Sequence, residues 1–559
     1  MQYYSYVSTR ACYDPAKLIV LFAPEKDAAD AESLARFAQS SGWQALAEYD
    51  SAILIAPLAP GGWKKQPAEL PGMLYDAVRN SFDTRCAKSL TGRGGKLWCW
   101  ETMVYWVGYD EGADFAGDCA VAAPSRFAAA ALVRGAAAVY DAGEQPSSHW
   151  LAPHVSAGYA RKNCEIPACV WLLDAPEQAA EAAVRYYAGP NGYDPSAALQ
   201  IVTVGGIKAA RYAAAPEDAA QLLITQGPLP EGMALAHAIL TGLFDRVIRW
   251  KNGPDGTLAA LPGRAGFYTD GRFSHLSVTV GGLEYSCAVH LPDGMNAEQA
   301  AGLPLVFSVH GRGEPAWLFA TKNGWDTLAD RTREFVLAVP DSPGNIWMLE
   351  RDGEAFGAMI DAICGRWQLD RTRVYLTGFS NGGSITREVG SAHPEWFAAI
   401  APFNGPVRAP GGIMQPQALC PALIPSGYQL PYWVTVGDSD PAAPVDLDEQ
   451  LEVMLAVNGC TCRPAEDLFT RYAPDEIRTG ENWYTAENGY RQGGRFCTYV
   501  YHSPDGSPRV GATVMRDMPH GAITEQSDAA WQFLRCFSRP QGSKEVVFTP
   551  HNAKEGSAC

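Results

Sequence analysis

The grouping in this sequence that most directly spells out a reaction is Gly378-Phe379-Ser380-Asn381-Gly382, a G-x-S-x-G pattern. In such a pattern a serine hydroxyl is presented at a sharp turn between a strand and a helix, and the glycines remove side chains that would collide with both. A serine hydroxyl is a poor nucleophile until a neighbouring base takes its proton, and the base works best when a carboxylate fixes its tautomer. The chemistry implied is acyl transfer with Ser380 as nucleophile. Developing oxyanion charge would be met by the amide of Asn381 at the helix start and by an amide of the loop His310-Gly311-Arg312-Gly313, with Gly311 and Arg312 as the donors to consider.

In a fold built around such a strand–turn–helix elbow, the acid and then the histidine follow the serine in chain order. Four histidines do so: His393, His502, His520 and His551. His393 lies at the end of the helix that the serine itself opens, His502 follows the aromatic strand CTYVYH, and His551 sits in a polar C-terminal stretch. His520, in DMPHGAI between the strand-like VGATVMR and the helical SDAAWQFLRCF, stands where a loop at a strand end would carry it. The acid is expected after the strand YWVTVG, where Asp438 and Asp440 compete and Asp440 is preferred. Either carboxylate could instead cap the following helix.

The elements needed to hold these residues are legible around them. HLSVTVGGLEYSCAVHLP, from His275, reads as a hairpin turning at Gly281-Gly282, and LPLVFSVHGRG as a buried strand ending in glycines. A helix over 325–333, a strand over 335–340, a helix over 356–367, a strand over 374–377 and a strand over 397–402 complete a β-α-β alternation, predicting an α/β fold with a doubly wound sheet. Two inserts, 404–431 and 471–495, would cover the site, and Trp483, Tyr484 and Trp347 are the aromatics expected to face substrate.

Together these residues resemble the polyhydroxybutyrate depolymerase and feruloyl esterase-like branch of the α/β-hydrolases. The similarity runs from about residue 275 to 537 and rests on YSCAVHLP, LPLVFSVHGRG, RVYLTGFSNGG, VGDSDPAAP and MPHGA as a set. It implies a serine esterase, and the family's acid motif selects Gly437, Asp440 and Pro444. Arg312 departs from the small or neutral residue usual in relatives. A serine peptidase of the same fold and a non-catalytic binding scaffold are the alternatives.

Other chemistries find little support. No H-E-x-x-H is present, the cysteines lack zinc spacing, and Gly92 to Lys96 fails the phosphate-loop pattern. The G-x-G-x-x-A beginning at Gly311 has no acidic residue after the next strand to hold a ribose, so no cofactor and no metal are expected. A formal charge of −17 disfavours nucleic-acid and anionic-membrane partners and favours a small-molecule or oligomeric ester substrate. MQYYSYVSTR lacks a basic segment followed by an apolar one. A cytoplasmic placement is therefore expected, or a secreted one had a signal been removed.

The first half repeats the second in outline. SGWQALAEYDSAILIAPLAPGGW aligns with NGWDTLADRTREFVLAVPDSPGNIW, and MVYWVGYDEGADFAG aligns with the elbow but puts Asp110 at the serine position. Glu231 falls opposite His520, and APEK replaces HGRG. The expectation is a degenerate, inactive domain over 1–262 that packs on a catalytic domain over 270–540, with a tail over 541–559.

Overall fold

Short runs of aliphatic and β-branched residues such as Leu305–Val309 and Val374–Phe379 cannot fill a helix, and being apolar at every position they must be covered on both faces. Each forms a parallel strand buried along its whole length in the computed structural model of the chain. The structure describes residues 2–9, 16–79, 81, 97, 99–146, 162–197, 199–250, 257–261, 263–405, 423–438, 440, 447–460, 463–464, 472–473, 476–479, 496–515 and 518–551. The chain divides into two units, Met1–Ala265 and Gly266–Cys559.

The first unit holds strands β1 (Tyr3–Val7), β2 (Ala16–Phe22), β3 (Ile53–Pro57), β4 (Cys99–Tyr109), β5 (Ala129–Val133), β6 (Val170–Leu173), β7 (Gln200–Val204), β8 (Ile207–Tyr212) and β9 (Leu222–Thr225). They form one sheet in the order β1-β3-β2-β4-β5-β6-β9-β8-β7, parallel through its centre and antiparallel at its edges. Helix α1 (Glu111–Ala122) follows β4, and the hairpin of β10 (Val247–Trp250) and β11 (Thr257–Ala260) closes the unit. Lys17, at the start of β2, bonds Asp50 at 2.6 Å and Asp245 at 2.5 Å, tying two distant segments to one ammonium. Burial alone would lower the pKa of this lysine, but the two carboxylates outweigh it and the value is raised.

The second unit has a ten-stranded sheet. Its strands are β12 (Ser274–Val280), β13 (Leu283–His290), β14 (Leu305–Val309), β15 (Val336–Pro340), β16 (Val374–Phe379), β17 (Ala399–Phe403) and β18 (Tyr432–Gly437). After the short pair β19 (Arg463–Pro464) and β20 (Tyr472–Ala473) come β21 (Glu476–Thr479), β22 (Phe496–His502) and β23 (Pro508–Met515). The order β12-β13-β15-β14-β16-β17-β18-β23-β22-β21 repeats that of the first unit strand for strand, with β12 added outside β13. The hairpin expected from Gly281-Gly282 is β12–β13, paired from Ser274–Val289 to Val280–Leu283. The fold class is therefore α/β, as expected.

Helices α2 (Trp325–Thr332), α3 (Leu349–Trp367), α4 (Asn381–Ala392), α5 (Leu447–Val457) and α6 (Thr524–Leu534) alternate with these strands. Helix α3 starts well before the expected residue 356: the Asp352 carboxylate accepts the Met348 N–H at 2.8 Å and satisfies a donor that the first turn leaves open. Residues of the expected tail pair back onto the chain before them. Strand β25 (Val547–Phe548) pairs with β24 (Phe537–Ser538), the Phe548 ring meets Phe537 at 5.5 Å, and Arg539 donates to the Lys544 carbonyl at 2.9 Å. Buried Cys119, Cys169, Cys287 and Cys364 are free thiols. Among the described residues no helix is long and apolar enough to cross a membrane.

Removing Lys17 would leave Asp50 and Asp245 facing each other across a poorly hydrated gap. Lys17→Met is expected to destabilise the first unit by about 3–5 kcal/mol, read as a lower urea midpoint for that unit; an unchanged midpoint would contradict this role of the lysine.

Candidate functional site

Ser380 directly follows β16 and is the N-cap residue of α4, in a conformation L residues seldom adopt, φ 56° and ψ −117°. Such a backbone costs on the order of 1–3 kcal/mol and persists only where its surroundings enforce it. The enforcement is visible: the Ser380 N–H donates to Phe403 O at 3.0 Å, and the Ser384 N–H donates to Ser380 O at 2.9 Å. The helix also seats directly on the neighbouring strand. A Cβ on Gly382 would lie 2.1 Å from the Val309 carbonyl oxygen, so only glycine permits this approach.

The parallel pairing of β18 with β23, running from Tyr432–Val510 to Gly437–Met515, brings two loops to the same sheet edge. Gly437 admits the contact, since a Cβ there would meet Met518 O at 2.2 Å. Asp440 comes from one loop and His520 from the other. His520 Nδ1 lies 2.8 Å from Asp440 Oδ2, and His520 Nε2 lies 2.8 Å from Ser380 Oγ. The Asp440 side chain is fully buried, whereas the His520 side chain is 31% exposed. One face of the array is thus dry and the other open to a reactant. The Phe379 ring packs on the His520 imidazole at 4.9 Å.

One participant escapes the sequence reading. Asn404, completely buried, donates from Nδ2 to Asp440 Oδ2 at 3.0 Å, the oxygen that His520 also uses. Its backbone, at φ 44°, turns the chain just after β17, and its N–H donates to Thr435 O at 2.8 Å. The available signal was an Asn-Gly directly after a strand, a pair suited to positive φ.

The oxyanion expectation needs one correction. The Gly311 N–H is committed to Glu314 Oε2 at 2.9 Å and cannot serve as donor to a reactant; the Gly313 N–H is likewise committed, to Asn345 O at 2.6 Å. The Arg312 amide lies between them, and Asn381, as first residue of α4, has an N–H without a helical acceptor. His310, also buried, donates through Nδ1 to Gly311 O at 2.7 Å and accepts at Nε2 from Ser342 N–H at 3.2 Å, the pattern of a neutral imidazole. Burial pushes its pKa down from 6.5 to about 4.

Trp347 also departs from expectation. It is 2% exposed, its N–H and carbonyl are held by the Asn381 side chain at 2.7 and 3.2 Å, and its ring lies against His310 and Phe356. It therefore buttresses the elbow from within the core and presents no face to a substrate. Trp483 and Tyr484 lie outside the described residues, as do Pro444, 92–96 and most of the two inserts. Asp438 keeps its N–H on Met515 O at 3.0 Å. His393 stacks on Trp396 at 3.9 Å, and His551 lies 3.6 Å from Glu334, so neither belongs to the cluster.

The first unit has the same turn between β4 and α1. Asp110 takes φ 52° and ψ −123°, and a Cβ on Gly112 would lie 2.4 Å from Phe22 O. Its carboxylate accepts two bonds from the Arg134 guanidinium, at 2.6 and 3.0 Å. Glu231 directly precedes the helix Gly232–Ile239.

A neutral His310 binds its proton more weakly in the folded chain than in the unfolded one, so acid favours unfolding. Its contribution is fully present above about pH 6.5 and falls as pH drops towards 4, by up to about 3 kcal/mol. Denaturation of the second unit across this range should show the decline, and His310→Gln should flatten it; an equal slope in the variant would contradict the assignment.

No protein-family model matches the chain. Among curated relatives, NocK of Nocardia uniformis subsp. tsuyamanensis, named as an esterase, is 28% identical over 180 residues, covering 30% of this chain and 49% of that protein. Poly(3-hydroxyalkanoate) depolymerase C of Paucimonas lemoignei is 28% identical over 130 residues, 21% and 30% of the two chains. Feruloyl esterase B of Neurospora crassa is 28% identical over 134 residues, 22% and 44%. The chain spans about half or less of the length of these relatives. Among solved structures, an acetyl xylan esterase from Aspergillus awamori aligns with a TM-score of 0.37 at 15% identity, over 47% of this chain and 99% of that one. The sequence relatives are of the esterase kind that the motifs resemble.

Proposed function

We propose that the chain is a carboxylic ester hydrolase whose second unit works through Ser380, His520 and Asp440. The observation that carries this reading is the unbroken hydrogen-bonded line from Ser380 Oγ through His520 to buried Asp440, with 2.8 Å at each step. In the first step His520 Nε2 takes the hydroxyl proton as Oγ attacks the ester carbonyl carbon. Asp440 keeps the other ring nitrogen protonated and stabilises the imidazolium, while Asn404 holds the carboxylate in line. The amides of Asn381 and Arg312 meet the tetrahedral oxyanion. His520 then returns the proton to the leaving alcohol, and water repeats the sequence on the acyl-enzyme to release the acid.

The printed names of the relatives bear on substrate class: two are named for feruloyl and polyhydroxyalkanoate esters. Soluble feruloyl-type or hydroxybutyrate-type esters are accordingly the substrates to test first. The first unit reads as a copy of the same fold without this chemistry. Its identical strand order and the shared backbone at Asp110 support the copying, while the Arg134 ion pair gives the carboxylate a structural occupation. Glu231 opposite His520 offers no imidazole to activate water.

Ser380→Ala should remove hydrolysis of p-nitrophenyl acyl esters and covalent labelling by a fluorophosphonate while leaving the thermal midpoint unchanged. Asp440→Asn should lower kcat by about 10⁴-fold with His520 still present. Labelling that persists in Ser380→Ala would overturn the assignment of the nucleophile. A panel of feruloyl, hydroxybutyryl, short acyl and peptide-amide substrates then ranks the acyl groups.

A further inference from the structure

Beneath the loop that carries Arg312 lies a charged pair the reaction does not itself require. Glu314 is 1% and Lys322 8% exposed, and the Lys322 ammonium donates to Glu314 Oε1. The other carboxylate oxygen, Oε2, accepts the Gly311 N–H at 2.9 Å, and the Glu314 N–H donates to Gly311 O at 3.2 Å. The segment 311–314 is therefore a turn closed twice, once by main chain and once by the Glu314 side chain. Gly313, at φ 81°, fills the third position that such a turn reserves for glycine. The Lys322 ammonium also sits 3.8 Å from the centroid of the Phe379 ring, the ring that packs on His520.

Burying two ions is costly, and replacing such a pair by apolar side chains is often neutral or stabilising. Simple stability does not account for placing one here. Geometry does. The Glu314 carboxylate holds the Gly311 N–H and the Glu314 N–H holds the Gly311 carbonyl, fixing the peptide unit that carries the Arg312 amide; Lys322 holds the Glu314 carboxylate in place, and the Lys322 ammonium and the His520 imidazole lie against the same Phe379 ring.

We propose that Glu314 and Lys322 are positioning residues for the oxyanion loop, holding the Arg312 amide towards the carbonyl oxygen attacked by Ser380. This rests on the esterase reading and adds to it a pair that touches no reactant. Lys322 has its pKa lowered by burial, only partly offset by Glu314, so losing the glutamate would favour neutral lysine and a slack loop.

The test compares full-length wild type, Glu314→Ala, Glu314→Gln and the double variant Glu314→Gln/Lys322→Met, with a p-nitrophenyl acyl ester and with each rate divided by the sites titrated with fluorophosphonate. Complete loss of one oxyanion donor costs about 10²–10³-fold in turnover, so Glu314→Ala, which only loosens the donor, should lose about 10- to 100-fold in kcat at near-constant KM. Glu314→Gln should lose less, because its amide oxygen still accepts the Gly311 N–H. The double variant, neutral and still bonded to Gly311, should recover to within a few-fold of wild type. Wild-type kcat per titrated site in Glu314→Ala would overturn the proposal, even with a lower thermal midpoint, for the pair would then be structural only. Should Glu314→Ala not fold, the same decision falls to Glu314→Gln against the double variant: recovery in the double supports the proposal and equal kcat in all three proteins overturns it. Failure of wild type to hydrolyse the ester or label Ser380 would instead remove the esterase reading itself.

Discussion

The close seating of α4 on β14 is the constraint from which the site follows. With the Val309 carbonyl oxygen 2.1 Å from where a Gly382 side chain would begin, the helix can approach the strand only through glycine. That approach forces the sharp turn, and the turn holds Ser380 at positive φ with its hydroxyl clear of the sheet. A second contact of the same sort, Gly437 against the Met518 carbonyl, lets the Asp440 and His520 loops meet. Two points without side chains therefore bring together three residues separated by 60 and 80 positions in sequence.

Electrostatics then sorts the groups that packing has assembled. Asp440 is buried and shared between Asn404 and His520, so it orients an imidazole whose far nitrogen meets the Ser380 hydroxyl and whose side chain is partly open to solvent. His310 is shut in and neutral, so it serves as a hydrogen-bonding strut for the loop below and takes no part as a base. The two histidines differ in role because one has a carboxylate partner and an open side and the other has only backbone partners.

Much of this was legible from residue types. The elbow, the histidine after the last parallel strand and the choice of Asp440 over Asp438 all rest on residues adjacent to strands whose apolar runs are unambiguous. The start of α3 was not, because Gly353 and Gly357 weaken the helical pattern, and only the fold reveals that a Cβ on Gly357 would strike Trp396 at 2.8 Å. Trp347 was misread as a pocket residue since nothing in its neighbours tells that Asn381 holds its backbone. The commitment of the Gly311 amide to Glu314 is likewise a side-chain contact that spacing cannot announce. Asn404 went unnoticed because its partner lies 36 residues away. What a sequence states well is local geometry with glycine and apolar period; what it conceals is which polar atom each donor meets.

In the proposed reaction a single hydroxyl, that of Ser380, carries the acyl group. In rapid-quench mass spectrometry of the full chain mixed with an activated acyl ester, an acyl adduct is expected on the peptide containing Ser380, forming and decaying at rates compatible with turnover. Steady hydrolysis with no such adduct at a rate-limiting deacylation, or with the adduct on another residue, would contradict it.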